Sequence, residues 1–247
     1  MLIAVVGGGR SGAAIQRALA ERDARVRMLS PSTGFDALRD DAARALDGAD
    51  AVIEAAGRFT LSRRRAVDFF TRSSRALARG SLRAGVGRHM LLSIVGCDRP
   101  ELDGYGYLAA KARQERVCLA ERPDALVVRS TQWHEFAEQN LRRLRVGPFA
   151  AVPSMRIRPV ALDAVASFLA ECALGSTPDG RQEIAGPQTT TLWRLTRLLR
   201  RQRGAGLPLP VPVPAPGRWG RAFREGALLP GPQARILGPS PERWLAG

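Results

Sequence analysis

Tyr107 and Lys111 stand four residues apart in Tyr107-Leu108-Ala109-Ala110-Lys111. On a helix that spacing puts both side chains on one face. An ammonium beside a phenol favours the phenolate and lowers the phenol's ordinary pKa of about 10. Tyrosine then becomes an acid/base that works near neutral pH. Ser93 lies upstream, in Leu91-Leu92-Ser93-Ile94-Val95-Gly96, where its hydroxyl could hydrogen-bond a substrate carbonyl oxygen. Composition sharpens the reading. Lys111 is the sole lysine among 38 basic side chains, and the only two tyrosines are Tyr105 and Tyr107. Arginine serves wherever a generic positive charge will do. A lysine kept at this position suggests ammonium chemistry that a guanidinium cannot perform.

A second chemical motif opens the chain. Gly7-Gly8-Gly9-Arg10-Ser11-Gly12 matches G-x-G-x-x-G through Gly7, Gly9 and Gly12. It follows an apolar run at residues 2–6 and precedes a helical pattern, the context a dinucleotide-binding fingerprint needs. Gly7 permits a tight turn, Gly9 lets the backbone approach a diphosphate, and Gly12 allows close helix–sheet packing. The helix N-terminus adds amide donors and a positive dipole; Ser11 stands there too. NAD selection calls for an acid at the end of the second strand, but the sequence reads Leu29-Ser30-Pro31-Ser32. Arg10, Ser30 and Ser32 could instead hold a 2′-phosphate, so NADP(H) is preferred over NAD(H).

Other candidates carry two readings each. His134, in Gln132-Trp133-His134-Glu135, could face a substrate as a second acid/base or be a hydrogen-bonded structural histidine. Gln132, Trp133 and Tyr105 are pocket candidates that could equally be packing residues. His89 begins a strand pattern and reads as structural. Cys97, Cys118 and Cys172 are widely spaced, which suggests neither a disulfide framework nor a zinc site. No HExxH or paired His/carboxylate set is present, so no metal is expected.

Strand patterns at 2–6, 25–29, 33–38, 51–55, 89–95 and 125–128 alternate with helical ones at 12–21, 40–47, 61–86, 106–121 and 132–144. This alternation predicts an α/β fold: a doubly wound parallel sheet (Rossmann) with helices on both faces. Residues 1–150 are read as the dinucleotide-binding domain. Residues 151–247 are read as a C-terminal substrate lobe packed on it, with a strand at 157–160, a helix at 161–174, an extended 182–185 and a basic amphipathic helix at 192–203. The proline-rich 206–217 excludes a helix or central strand and implies polyproline II or an edge segment; it could be a linker or signalling ligand, though alternating Leu and Val suggest that it packs against the body.

Composition closes off several classes. Apolar residues at 45% and charged residues at 25% give an ordinary globular balance and argue against disorder. No stretch is apolar and long enough to span a membrane. The apolar N-terminus lacks a basic n-region and a cleavage site, so it is not read as a signal peptide. With the unpaired cysteines, this gives a cytoplasmic expectation. The net charge is +15, yet the arginines are scattered and stacking aromatics are few, which disfavours a nucleic-acid partner.

Through GGGRSG at 7–12, LLSIVG at 91–96, YGYLAAK at 105–111 and VVRSTQWHEF at 127–136, the chain resembles the short-chain dehydrogenase/reductase superfamily. More narrowly it is similar to the atypical, NmrA-like, NAD(P)-binding branch. The resemblance places Ser93, Tyr107 and Lys111 on the catalytic serine, tyrosine and lysine, with Lys111 also bonding the nicotinamide ribose. It puts Asp36 and Ala37 near adenine, Ala55, Ala56 and Gly57 beside the cofactor, and Ser130 and Thr131 near the nicotinamide. Two features depart from the branch. Its usual G-A-T-G-x-x-G is one residue shorter here, and Pro31 stands where an arginine often follows the second strand.

The expected activity is an NADP(H)-dependent oxidoreductase that reduces a carbonyl or enone of a small organic substrate. The cofactor would supply hydride and Tyr107 the proton. The alternatives are non-redox acid/base chemistry on a secondary metabolite, or a non-catalytic dinucleotide-sensing regulator. Substrate identity and oligomeric state are not readable from these residues.

Overall fold

The apolar run Leu2–Val6 forms strand β1, with every residue from Ile3 onward buried. A computed structural model describes residues 1–57, 60, 62–175 and 180–246 of the chain. After β1 come helix α1 (Arg10–Ala20), β2 (Arg25–Leu29), α2 (Ala42–Ala45), β3 (Ala51–Glu54) and α3 (Arg63–Arg83). Then follow β4 (Arg88–Ile94), α4 (Gly106–Glu121) and β5 (Leu126–Ser130). The helices form where apolar residues recur at helical spacing. In α1, Ala14, Ile15, Ala18 and Leu19 turn inward. In α3, Ala66, Phe70, Leu77 and Ala78 do the same, and the Ser62 side chain caps the helix by accepting from the Arg65 N–H. Leu61, where the sequence pattern starts this helix, lies outside the described residues.

One expected strand is absent. Residues 33–38 do not form a strand; Pro31–Thr33 is a single tight helical turn. Pro31 fixes its φ, and Thr33 Oγ1 accepts from the Ser30 N–H at 2.9 Å. Gly34 then leaves the turn in the left-handed region at φ 84°. Local side-chain bonding here outcompetes a ladder that would have needed a partner strand.

Further along the chain are α5 (Phe136–Arg143), β6 (Arg145–Val146), β7 (Phe149–Pro153), β8 (Arg156–Ile157), α6 (Leu162–Leu174) and β9 (Gln182–Ala185). The described elements end with β10 (Thr190–Thr191), α7 (Leu192–Arg203), β11 (Leu209–Val213), α8 (Gly217–Glu225), β12 (Arg235–Ile236) and α9 (Pro241–Ala246). Helix α5 starts at Phe136, four residues later than the sequence pattern suggests. Gln132 and Trp133 stay extended because Val160 N–H donates to the Gln132 carbonyl and His134 N–H to the Val160 carbonyl, each at 3.0 Å. Pro159 likewise keeps 157–160 from being one continuous strand, leaving β8 and a separate bridge between Trp133 and Val160.

The central sheet has seven strands in the order β12-β9-β5-β4-β3-β1-β2. Strand β1 is parallel to both β2 and β3, and β3 is parallel to β4. The chain therefore winds to one side of β1 and then to the other. That reversal is the crevice where doubly wound sheets receive ligands, at the carboxyl ends of the strands.

The chain clusters into two compact units. The first holds Met1–Ser93, Tyr105–Arg129 and Val165–Gln182; the second holds Ile94–Gly104, Ser130–Ala164 and Glu183–Gly247. Within the second, β11 runs parallel to β7 on the edge of a three-stranded sheet. Leu209 N–H donates to Pro148 O across this pair. Alternate residues of a strand aim their N–H groups to opposite sides, so Pro210 and Pro212 lack theirs on the outer side. The proline-rich segment is thus an edge strand, one of the two forms its composition allows.

Candidate active site

The glycine loop lies at the switch point in the first unit. Gly7 has φ 132°, and a Cβ there would sit 2.9 Å from the Ala55 carbonyl carbon. A Cβ on Gly12 would sit 1.8 Å from Gly7 O, so no other residue fits that helix turn. Around Gly9, by contrast, a Cβ would meet nothing within 4 Å. Gly9 is also the N-cap of α1, and it brings no side chain to satisfy the first amides. The loop therefore combines a closed floor with an open, uncapped helix N-terminus, which suits an anionic diphosphate. Ser11 is buried, with Oγ 3.3 Å from the Ala55 carbonyl it donates to. Arg10 is exposed at the first helical position.

Ser30 and Asp36 follow β2 in sequence. Ser30 is buried, and its Oγ lies 2.8 Å from Ser32 Oγ and 2.9 Å from an ideal Cβ on Gly8. Asp36 caps the turn that follows, accepting from the Leu38 N–H at 2.9 Å.

Residues 55–57 lie between the glycine loop and the tyrosine. Ala55, Ala56 and Gly57 continue from β3, and Gly7 rests on Ala55. A Cβ on Gly57 would lie 3.8 Å from Tyr107 Oη. Tyr107 stands in the first turn of α4, its ring edge-on to Phe70 at 5.6 Å. Lys111, one turn later, is buried and stands over the same Phe70 ring at 5.1 Å. Its Nζ donates to the Leu92 carbonyl at 2.8 Å, beside the buried Ser93 of β4. Thus Gly7, Gly9, Gly12, Ala55, Gly57, Ser93, Tyr107 and Lys111 all belong to one compact unit. Phe70 is the shared floor of the tyrosine–lysine pair.

A buried polar chain that the sequence reading did not single out continues inward from Lys111. Lys111 Nζ donates to Gln114 Oε1 and Gln114 Nε2 to Glu54 Oε1, both at 2.5 Å. Ser74 Oγ donates to Glu54 Oε2 at 2.9 Å. Glu54 is 1% exposed, so these hydrogen bonds replace solvent around its carboxyl group. The signal was present in Ala51-Val52-Ile53-Glu54-Ala55-Ala56, where a lone carboxylate ends an otherwise apolar strand.

Apart from Tyr105, which belongs to the first unit, the remaining candidates lie in the second. Thr131 Oγ1 donates to the Arg158 carbonyl at 2.6 Å, and Trp133 Nε1 to Ser130 Oγ at 3.1 Å. Gln132 and Trp133 are half-buried. His134 is fully buried, with Nε2 3.2 Å from the Pro239 carbonyl and its ring 5.1 Å from that of Trp244. Burial holds its pKa below the ordinary histidine value. Tyr105 is half-buried as the N-cap residue of α4.

No protein-family model matches the chain, and no curated protein matches its sequence. Solved structures do share its fold. UDP-glucose 4-epimerase from Thermotoga maritima, determined with UDP-glucose, aligns with a TM-score of 0.76 at 17% identity, over 99% of this chain and 96% of that one. WbmH from Bordetella bronchiseptica, in complex with NAD+, gives 0.75 at 13% identity, over 99% and 95%. A short-chain dehydrogenase/reductase superfamily protein from Agrobacterium tumefaciens, with bound NAD, gives 0.71 at 16% identity, over 100% and 95%. At these identities the likeness is one of fold.

Proposed function

We propose that this chain is a nicotinamide-dinucleotide-dependent enzyme of the short-chain dehydrogenase/reductase type that reduces a carbonyl or enone of a small organic substrate. One observation carries the reading: the open Gly9 N-terminus of α1 and the Tyr107–Lys111 pair are linked through Ala55–Gly57 within one unit. Two of the fold neighbours were solved with NAD or NAD+, which supports the same cofactor class here. Gly7–Gly12 and the first amides of α1 would hold the diphosphate, and Ala55–Gly57 would flank it. The absence of an acid after β2, with Arg10 exposed nearby, favours NADP(H) over NAD(H).

When bound, the nicotinamide supplies or accepts hydride. The chain's own residues do the rest. Tyr107 holds a proton at Oη and delivers it to the oxygen that gains negative charge. Lys111 favours the phenolate left behind. The Ser93 hydroxyl donates to the same substrate oxygen and orients it. Leu92 O and Gln114 accept two ammonium hydrogens and so fix where the positive charge sits.

The test begins with calorimetric titration of the full chain with NADPH and NADH, using Gly9→Asp as the control. The expected result is saturable NADPH binding that Gly9→Asp abolishes. A screen of carbonyl substrates should then show turnover that Tyr107→Phe lowers by about 10²–10⁴-fold without loss of NADPH binding. Absence of binding by either dinucleotide overturns the redox reading. Binding with undiminished turnover in Tyr107→Phe overturns the role of Tyr107.

A further inference from the structure

Behind the tyrosine–lysine pair, three potential metal ligands from three elements converge: Glu54 ends β3, His89 lies in β4 and Cys118 in α4. Their ligating atoms all lie within 4.8 Å of one another, and all three residues are buried. The sheet register explains half of this. Val52 pairs with His89, so Glu54, two residues on, shares the face of the sheet from which His89 projects. Helix α4 brings Cys118 to the same place, and α3 brings Ser74.

The hydrogen bonding of His89 follows from its neighbours. Nδ1 is 3.0 Å from Ser81 Oγ. Ser81 Oγ donates its single hydrogen to the Ala78 carbonyl at 2.8 Å and accepts one from Arg122 Nη1 at 3.1 Å. It can therefore only accept from His89, which places a ring hydrogen on Nδ1. Nε2 has no hydrogen-bond partner. In the neutral ring it points a lone pair toward Glu54 Oε2, 3.6 Å away, and that arrangement is repulsive in a buried site.

A cation between them removes the repulsion. A proton on Nε2 would leave an N···O distance longer than a good hydrogen bond. A tetrahedral metal ion with bonds of about 2.0–2.2 Å would set nitrogen and oxygen ligands about 3.3–3.6 Å apart, which matches. We propose that Glu54, His89 and Cys118 supply three ligands of a site for a divalent transition ion of the zinc class, with a water completing the tetrahedron. The donors are a carboxylate, an imidazole and a thiolate, a borderline-soft set that suits zinc or cobalt rather than magnesium or calcium.

The surroundings fit such a site. Two of the three ligands have orienting partners: Ser81 on His89 Nδ1, and Gln114 and Ser74 on the two Glu54 oxygens. One carboxylate and one thiolate balance a divalent charge. Burial and then the Glu54 carboxylate push the free Cys118 thiol up, against smaller pulls from Ser74, Lys111 and Arg122. The thiol proton would leave as the ion binds. The proposal stands apart from the dinucleotide reading, although Gln114 links Glu54 to Lys111.

The test uses untagged full-length chain made in minimal medium supplemented with zinc, and separately with cobalt. Plasma mass spectrometry should find about one metal ion per chain. The cobalt form should show a thiolate-to-cobalt charge-transfer band, with the visible absorption of a tetrahedral ion. Cys118→Ala and His89→Gln should each lower metal content by about 10-fold or more, and Cys118→Ala should remove the band. Cys97→Ala should leave both intact. Should a ligand variant fail to fold, the wild-type cobalt spectrum and the Cys97→Ala control still decide. A metal-free wild-type chain, a cobalt form without a thiolate band, or full metal content in folded Cys118→Ala overturns the proposal.

Discussion

At the scale of single residues, Gly9 and Gly12 sit in one motif yet answer to different forces. A Cβ on Gly12 would strike Gly7 O, so Gly12→Ala is expected to cost about 1–3 kcal/mol or more of folding stability. A Cβ on Gly9 meets open space, so Gly9→Ala should cost less than about 1 kcal/mol, mainly as a poorer N-cap. It should nonetheless weaken NADPH binding by about 10-fold or more, because it fills the space a diphosphate needs. Urea unfolding and calorimetry on the two variants separate these effects. His134 gives a pH prediction. Burial lowers its folded pKa below the unfolded value near 6.5, so the unfolded chain binds a proton first as pH falls. The stability it contributes is complete above that value and is lost as pH drops through the window below it. Urea midpoints should fall from pH 7.5 to about 5.5, and His134→Gln should flatten that slope. Tyr107, Lys111 and the glycines were legible because their spacing is local. Glu54, His89 and Cys118 were not, since no fixed spacing links ligands carried by two strands and a helix.

At the scale of elements, β5 is pinned to α4 by a buried ion pair. Arg129 Nε and Nη2 donate to Glu115 Oε1 and Oε2 at 2.9 and 2.6 Å, and both side chains are at most 5% exposed. Glu115→Gln would leave a buried guanidinium without its counter-charge, at a cost of about 3–5 kcal/mol. Replacing both residues with methionine should recover most of that loss, and guanidinium midpoints of the three variants test it. Element boundaries were readable where one force acted alone. The strands 2–6, 25–29 and 182–185 and the helices 106–121 and 192–203 fall where their patterns put them. The missing strand at 33–38 shows the opposite case. Its apolar positions suit a ladder, but Ser30, Pro31 and Thr33 close a turn through bonds that hydrophobic periodicity does not register.

For the whole molecule, the net charge of +15 is spread over a chain of 247 residues. Much of it is paired locally, as where Arg75 and Arg79 both meet Glu121, but the excess repels itself. Raising ionic strength from about 0.01 to 0.15 M shortens the screening length from about 30 to 8 Å, so the melting temperature should rise over that range. A scanning calorimetry series in sodium chloride checks this; a falling Tm would show that surface ion pairs outweigh the repulsion. Among the described residues, no helix is long and apolar enough to cross a membrane. Alone, the sequence determined the alternating α/β winding, the glycine loop and the tyrosine–lysine pair. Each of these is written in local periodicity or short spacing, which backbone geometry converts directly into structure. Tertiary structure decided that Gly57 meets Tyr107, that Lys111 leads through Gln114 to Glu54, and that Glu54, His89 and Cys118 converge. Those contacts depend on strand order and register, which are set by how the entire core packs and not by any stretch of chain read by itself.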